Sequence, residues 1–132
     1  MSRAFVMSWY SRIPPAERTL PIIMYNGKVY TPEEVYREVM AGTRLGGALQ
    51  AKIERLRASH SYALDDLKEL DYVARKRVEQ VIKNLPPDFS LVAIGANGNR
   101  KRIYKPEELL KTRFFEKAVE REKKKVVELL RG

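Results

Sequence analysis

A mainly α-helical protein with two short β-hairpins is the fold class that these 132 residues predict. Two observations carry it. From Thr31 onward, long segments place apolar residues at i, i+3, i+4 and i+7, the spacing of a helix with one buried face. Two short apolar runs, in turn, each fold back across a turn-forming segment, at Asn26-Gly27 and at Gly95 to Asn99. The length suits one compact domain with an appended element, since domains typically run to about 100–150 residues.

Residues 1–20 carry Phe5, Val6, Met7, Trp9 and Tyr10 ahead of Pro14-Pro15. They read as an extended arm that packs on the domain or binds a partner, with core filling preferred. Pro21 to Tyr25 and Lys28 to Tyr30 flank Asn26-Gly27, a pair suited to the two positive-φ positions of a type I′ hairpin turn. Thr31 then offers a capping hydroxyl, Pro32 a first helical residue without a needed N–H, and Glu33-Glu34 negative charge at the positive end of the helix dipole. That helix should stop near Gly42. A second begins after Thr43 and aligns Leu45, Leu49, Ile53 and Leu56.

From Leu64 the apolar positions Leu64, Leu67, Leu70 and Val73, then Val78, Val81, Ile82 and Leu85, keep helical spacing but slip in phase around Asp71 and Tyr72. A turn between two helices would explain the slip. After Pro86-Pro87, Ser90 to Ile94 and Arg100 to Tyr104 form a second hairpin around a polar tip, and Lys105-Pro106-Glu107-Glu108 opens a final helix running nearly to the end. Lys28 to Val35 and Arg102 to Leu109 resemble each other, through a duplication or, preferred, a shared solution to a strand-to-helix junction.

Charge narrows the partners. Lys and Arg number 26 against 17 Asp and Glu, a net +9 that favours polyanions such as nucleic acid or an anionic membrane surface. The absence of cysteine excludes a disulfide scaffold, a Cys-based zinc finger and a cysteine nucleophile, and agrees with a reducing cytosol. With His60 the only histidine, imidazole ligation of a metal is nearly excluded as well. No stretch approaches the roughly 20 apolar residues that span a bilayer, and Pro14-Pro15 interrupt the start before a signal core develops. The expectation is a soluble cytoplasmic protein, associated with the nucleoid, with no cofactor and no membrane partner.

The run DLKELDYVARKRVEQVIKNL from Asp66 to Leu85 resembles the helix-turn-helix of winged helix-turn-helix domains. Leu67, Leu70, Val73, Val78, Val81, Ile82 and Leu85 fall where that superfamily keeps its apolar anchors; Lys68 stands where a small residue is usual and Tyr72 where the turn glycine is usual. Leu45 to Leu56 supplies the first helix and Ser90 to Tyr104 the wing, so the resemblance covers about half the chain in the order of that fold. It is most similar to small regulators of the MarR-like or archaeal type with a long C-terminal helix. The resemblance implies residues 1–42 as an N-terminal arm, hairpin and helix, residues 43–105 as the winged domain, and residues 106–132 as a C-terminal helix. It also implies a DNA-binding transcription regulator that is not an enzyme.

Chemistry on the third helix agrees independently. Ala74, Val78, Val81 and Leu85 fall on one face, placing Lys76, Gln80 and Lys83 opposite, flanked by Arg75 and Arg77. Arg and Lys read guanine edges or bind phosphate, and Gln reads adenine, so this face suits a major groove. Asn99, Arg100, Lys101 and Arg102 around the wing tip suit a minor groove or the flanking phosphates. Between Ala74 and Lys105, eight cations face two acids, a net +6.

In the last helix Phe115, Val119, Val126 and Leu129 recur at 3.5-residue spacing, interrupted by Glu122. This stripe packs on its own domain or forms a homodimer with a second copy, which would set two recognition helices about one DNA turn apart. Lys123-Lys124-Lys125 is then a solvated or phosphate-facing run.

Other residues carry less. His60 lacks catalytic companions, and Asp65, Asp66 and Glu69 sit at a helix start where acids are stabilising without any metal. Gly95 to Asn99 lacks the Gly-Lys-Ser or Gly-Lys-Thr of a phosphate loop. The expected function is therefore double-stranded DNA binding, sequence-reading or architectural. The alternatives are a protein-interaction winged helix within a larger assembly and a sequence-indifferent nucleic-acid coat, with RNA also open.

Overall fold

The computed structural model describes residues 3–59, 61–86, 88, 91–94, 101–104 and 106–132. Its first element corrects the expectation of an extended arm: Arg3–Arg12 is a helix, α1. Val6, Trp9 and Ile13, at i, i+3 and i+7, share one face and are at most 2% exposed. The Trp9 indole N–H donates to the Leu129 carbonyl at 2.9 Å, satisfying its polar edge inside the core. The aromatic cluster thus fills the core. A 3-10 turn, Pro15–Glu17, follows the proline pair.

The first hairpin forms as expected. Strands β1 (Ile23–Tyr25) and β2 (Lys28–Tyr30) pair antiparallel, with Ile23 opposite Tyr30. Asn26 at φ 49° and Gly27 at φ 78° form the turn, the left-handed pair that the Asn-Gly sequence accommodates. Helix α2 (Pro32–Met40) starts at a capping box: the Glu34 N–H donates to Thr31 Oγ1 at 3.1 Å and the Thr31 N–H donates to Glu34 Oε1 at 3.0 Å. Past its end at Met40, Gly42 with a φ of 69° reverses the chain. Helix α3 (Arg44–Ala58) is capped by Thr43, which accepts from the Gly46 N–H at 2.9 Å. A Cβ at Gly46 would stand 2.4 Å from the Glu38 carbonyl oxygen, so glycine there lets α3 cross α2 closely.

Helix α4 runs unbroken from Leu64 to Lys83. The turn expected around Asp71 and Tyr72 is absent, and with it the two-helix division of this segment. The phase slip has another cause. Val73 belongs to a core with α1, β1, α2, α3 and the end of the chain, whereas Ala74, Val78 and Ile82 belong to a second cluster with Leu109, Phe115 and Val119. One helix serving two cores must shift its apolar positions around its circumference. No Gly or Pro interrupts residues 64–85, and the Arg75–Asp71 ion pair at i, i+4 spans the slip. Leu67 and Val81, expected as anchors, are 47% and 46% exposed, and Leu64 at the start of the helix is 67% exposed.

Strands β3 (Leu91–Ile94) and β4 (Lys101–Tyr104) pair antiparallel, with Leu91 opposite Tyr104 and Ile94 opposite Lys101. This is the second expected hairpin; its tip lies outside the described residues. The single final helix is corrected to two, α5 (Pro106–Leu109) and α6 (Arg113–Arg131). Thr112 separates them with extended backbone (φ −110°, ψ 165°) while its hydroxyl donates to the Leu109 carbonyl at 2.8 Å. The fold is therefore mainly α with two hairpins. Residues from all three expected segments share the larger core, among them Trp9, Val35, Leu49, Val73 and Val126, so they do not pack as separate units.

Candidate nucleic-acid interface

Helix α4 was expected to offer Arg75, Lys76, Arg77, Gln80 and Lys83 to a groove. Most of these side chains face protein groups. Arg75 donates through Nε to Asp71 at 2.7 Å and grips Glu116 of α6 with both terminal nitrogens, at 2.8 and 2.9 Å. Glu116 first and Asp71 second hold the Arg75 guanidinium above its ordinary pKa. Both carboxyls are lowered in return: Arg75 is the main cause for Glu116, whereas for Asp71 burial acts upward and is outweighed by Lys123 and Arg75.

Arg77 is fully buried. Its Nε donates to Glu122 at 3.0 Å, one terminal nitrogen donates to the Pro21 carbonyl at 2.8 Å, and the other to Glu17, which Lys125 also pairs at 2.7 Å. A buried charge persists only where it is paired and hydrogen-bonded, and Arg77 meets that condition by tying α4 to the 3-10 turn, the lead-in to β1 and α6. Its expected contact with nucleic acid is excluded by burial. Gln80 Nε2 donates to the Thr19 carbonyl at 3.0 Å, which engages one of its two amide N–H groups. Lys76 lies over the Tyr72 ring and pairs with Glu79 at 3.3 Å, an interaction that raises its pKa. Lys83 is exposed at the last turn of α4.

On the hairpin, Lys101 and Arg102 stand in β4, opposite Ile94 and Ala93 respectively. Asn99 and Arg100 lie outside the described residues, as does His60. The dimerisation stripe is also reassigned. Phe115, Val119 and Val126 are 8%, 0% and 1% exposed within this chain, and half-buried Leu129 packs on the larger core, so intramolecular packing consumes the face that was to meet a second copy.

Sequence reasoning missed the acidic half of this network: Glu17, Asp71, Glu116 and Glu122. One signal was present. Glu122 interrupts an otherwise apolar stripe, and a carboxylate on a buried face needs a buried cation.

A small cleft lies among β1, α3, α4 and α6, with Ile22, Leu56, Leu70 and Val126 on its walls. Its charged groups are paired internally, Lys52 with Glu69 and Arg55 with Asp66 at 2.9 and 3.0 Å. Among the described residues no group of three or more His, Cys, Asp or Glu side chains is placed to hold a metal, and no helix is long and apolar enough to cross a membrane.

No family model, curated protein or solved structure matches this chain.

Proposed function

We propose that the protein is a non-enzymatic binder of double-stranded DNA that acts on the phosphate backbone, as a regulator of transcription or an organiser of DNA. The observation that carries this reading is the net charge of +9 on 132 residues. Ion pairs inside the fold match cations with acids about one for one, as in Arg75 with Asp71 and Glu116 and in Arg77 and Lys125 with Glu17 and Glu122, so internal pairing leaves the surplus to the surface. A positive surplus facing solvent attracts DNA by releasing its condensed counterions. Engagement of Arg75, Arg77 and Gln80 by protein groups favours backbone binding over base reading.

The test is binding to two duplexes of unrelated sequence at low salt. Backbone binding predicts affinities within about threefold of each other, because phosphate contacts carry no base information. A preference of about a thousandfold would restore a base-reading helix, and no binding to either duplex would remove the DNA assignment. The rival reading is a protein-interaction module that uses the apolar arm and the C-terminal stripe, but Val6, Trp9, Phe115, Val119 and Val126 are buried within the chain. The large apolar side chains that stay exposed among the described residues are Met7, Leu64, Leu67, Tyr72 and Val81.

A further inference from the structure

We infer that the DNA-facing surface is the solvent ridge of α6 and not α4, an assignment that rests on the DNA-binding reading above. Helix α6 buries Phe115, Val119, Val126 and Leu130. At 100° per residue, Arg113, Lys117, Arg121, Lys124 and Arg131 fall within about 80° of arc on the opposite side. All five are exposed. None takes part in an ion pair with the described residues; the only partner of their charged groups there is the Phe114 ring, 5.9 Å from Arg113. Lys123 and Lys125, by contrast, turn to Asp71, Glu120 and Glu17. The two acids on the ridge are Glu120, which Lys123 neutralises at 2.9 Å, and Glu128.

The geometry fits a linear polyanion. Arg113 to Arg131 spans about 27 Å at 1.5 Å per residue, and the first three cations recur every four residues, about 6 Å apart. Duplex DNA carries one charge per about 1.7 Å of axis, so a row of cations of this length, free of ion pairs with the described residues, meets many phosphates at once. Straight helical backbone also holds the row in place without ordering a loop on binding. The occupant is the phosphate backbone of double-stranded DNA.

The experiment compares three full-length proteins on a random-sequence duplex across a salt titration: wild type, a ridge variant with Arg113, Lys117, Arg121 and Lys124 changed to alanine, and a control with Lys28, Arg37, Arg44 and Lys68 changed to alanine. Both variants remove four charges. Circular dichroism checks that each is folded, and a glutamine version of the ridge set replaces the alanine set should that unfold. The inference predicts that the ridge variant flattens the slope of log affinity against log salt by about 4, about one per lost phosphate contact, while the control changes it by less than about 1. Equal losses in both variants would overturn the inference in favour of net charge alone. Wild-type binding that the ridge variant retains would overturn it while leaving DNA binding intact, and failure of the wild type to bind would remove both.

Discussion

Burial of Arg77 sets the terms at the residue scale. Its three hydrogen bonds reach residues 60, 56 and 45 positions away in sequence, and Glu17 beneath it accepts from both Arg77 and Lys125. Burial alone would raise the Glu17 pKa, but Lys125 and Arg77 outweigh it and hold the carboxyl below its ordinary value of 4.5. The sign follows from linkage: a depressed carboxyl stabilises the fold fully above its unfolded pKa and loses that contribution as pH falls through the lower folded value. Glu17→Gln should therefore melt below wild type at pH 7, with the gap closing as pH drops below about 4. Thermal melts of both proteins between pH 7 and 3 measure it, and a gap that widens in acid would contradict the arrangement. Apart from Glu122 interrupting an apolar stripe, none of this was legible locally. Arg77 sits in a run of three cations that looks solvated, and only the fold brings Glu17 and Glu122 to it.

Among elements, the caps and turns that are local in sequence were legible: Thr31 with Glu34, Asn26-Gly27, Thr43 and the β3–β4 pairing. Helix α4 was misread because periodicity reports which positions are apolar and not which neighbour covers them. A helix between two cores shows the same phase slip as a helix-turn-helix. Glycine at position 72 separates the two descriptions. In a continuous helix Tyr72→Gly costs about 1 kcal/mol of stability, since glycine gains most from unfolding. At a turn that needs a left-handed residue, the same change would be neutral or stabilising. Urea denaturation of the variant reads the sign directly. The α1 misreading has a related origin: Val6, Trp9 and Ile13 have helical spacing, but Pro14-Pro15 draws attention to the break that follows it.

For the whole molecule, the reading from composition does not depend on where the helices begin and end. The surplus of nine positive charges predicts a polyanionic partner whatever the arrangement of helices. What sequence could not supply was the division between cations that hold the fold and cations that form no ion pair among the described residues. Arg75 and Arg77 belong to the first group, while Lys117, Arg121 and Lys124 belong to the second. Acids decide the division, and most of those facing Arg75 and Arg77 lie on other elements. The most direct test of the central claim is wild-type binding to one random-sequence duplex from about 50 to 200 mM salt. Five phosphate contacts predict a linear fall of log affinity with a slope of about −4.5, a loss of several hundredfold over that range. An affinity that stays level across it would contradict backbone binding.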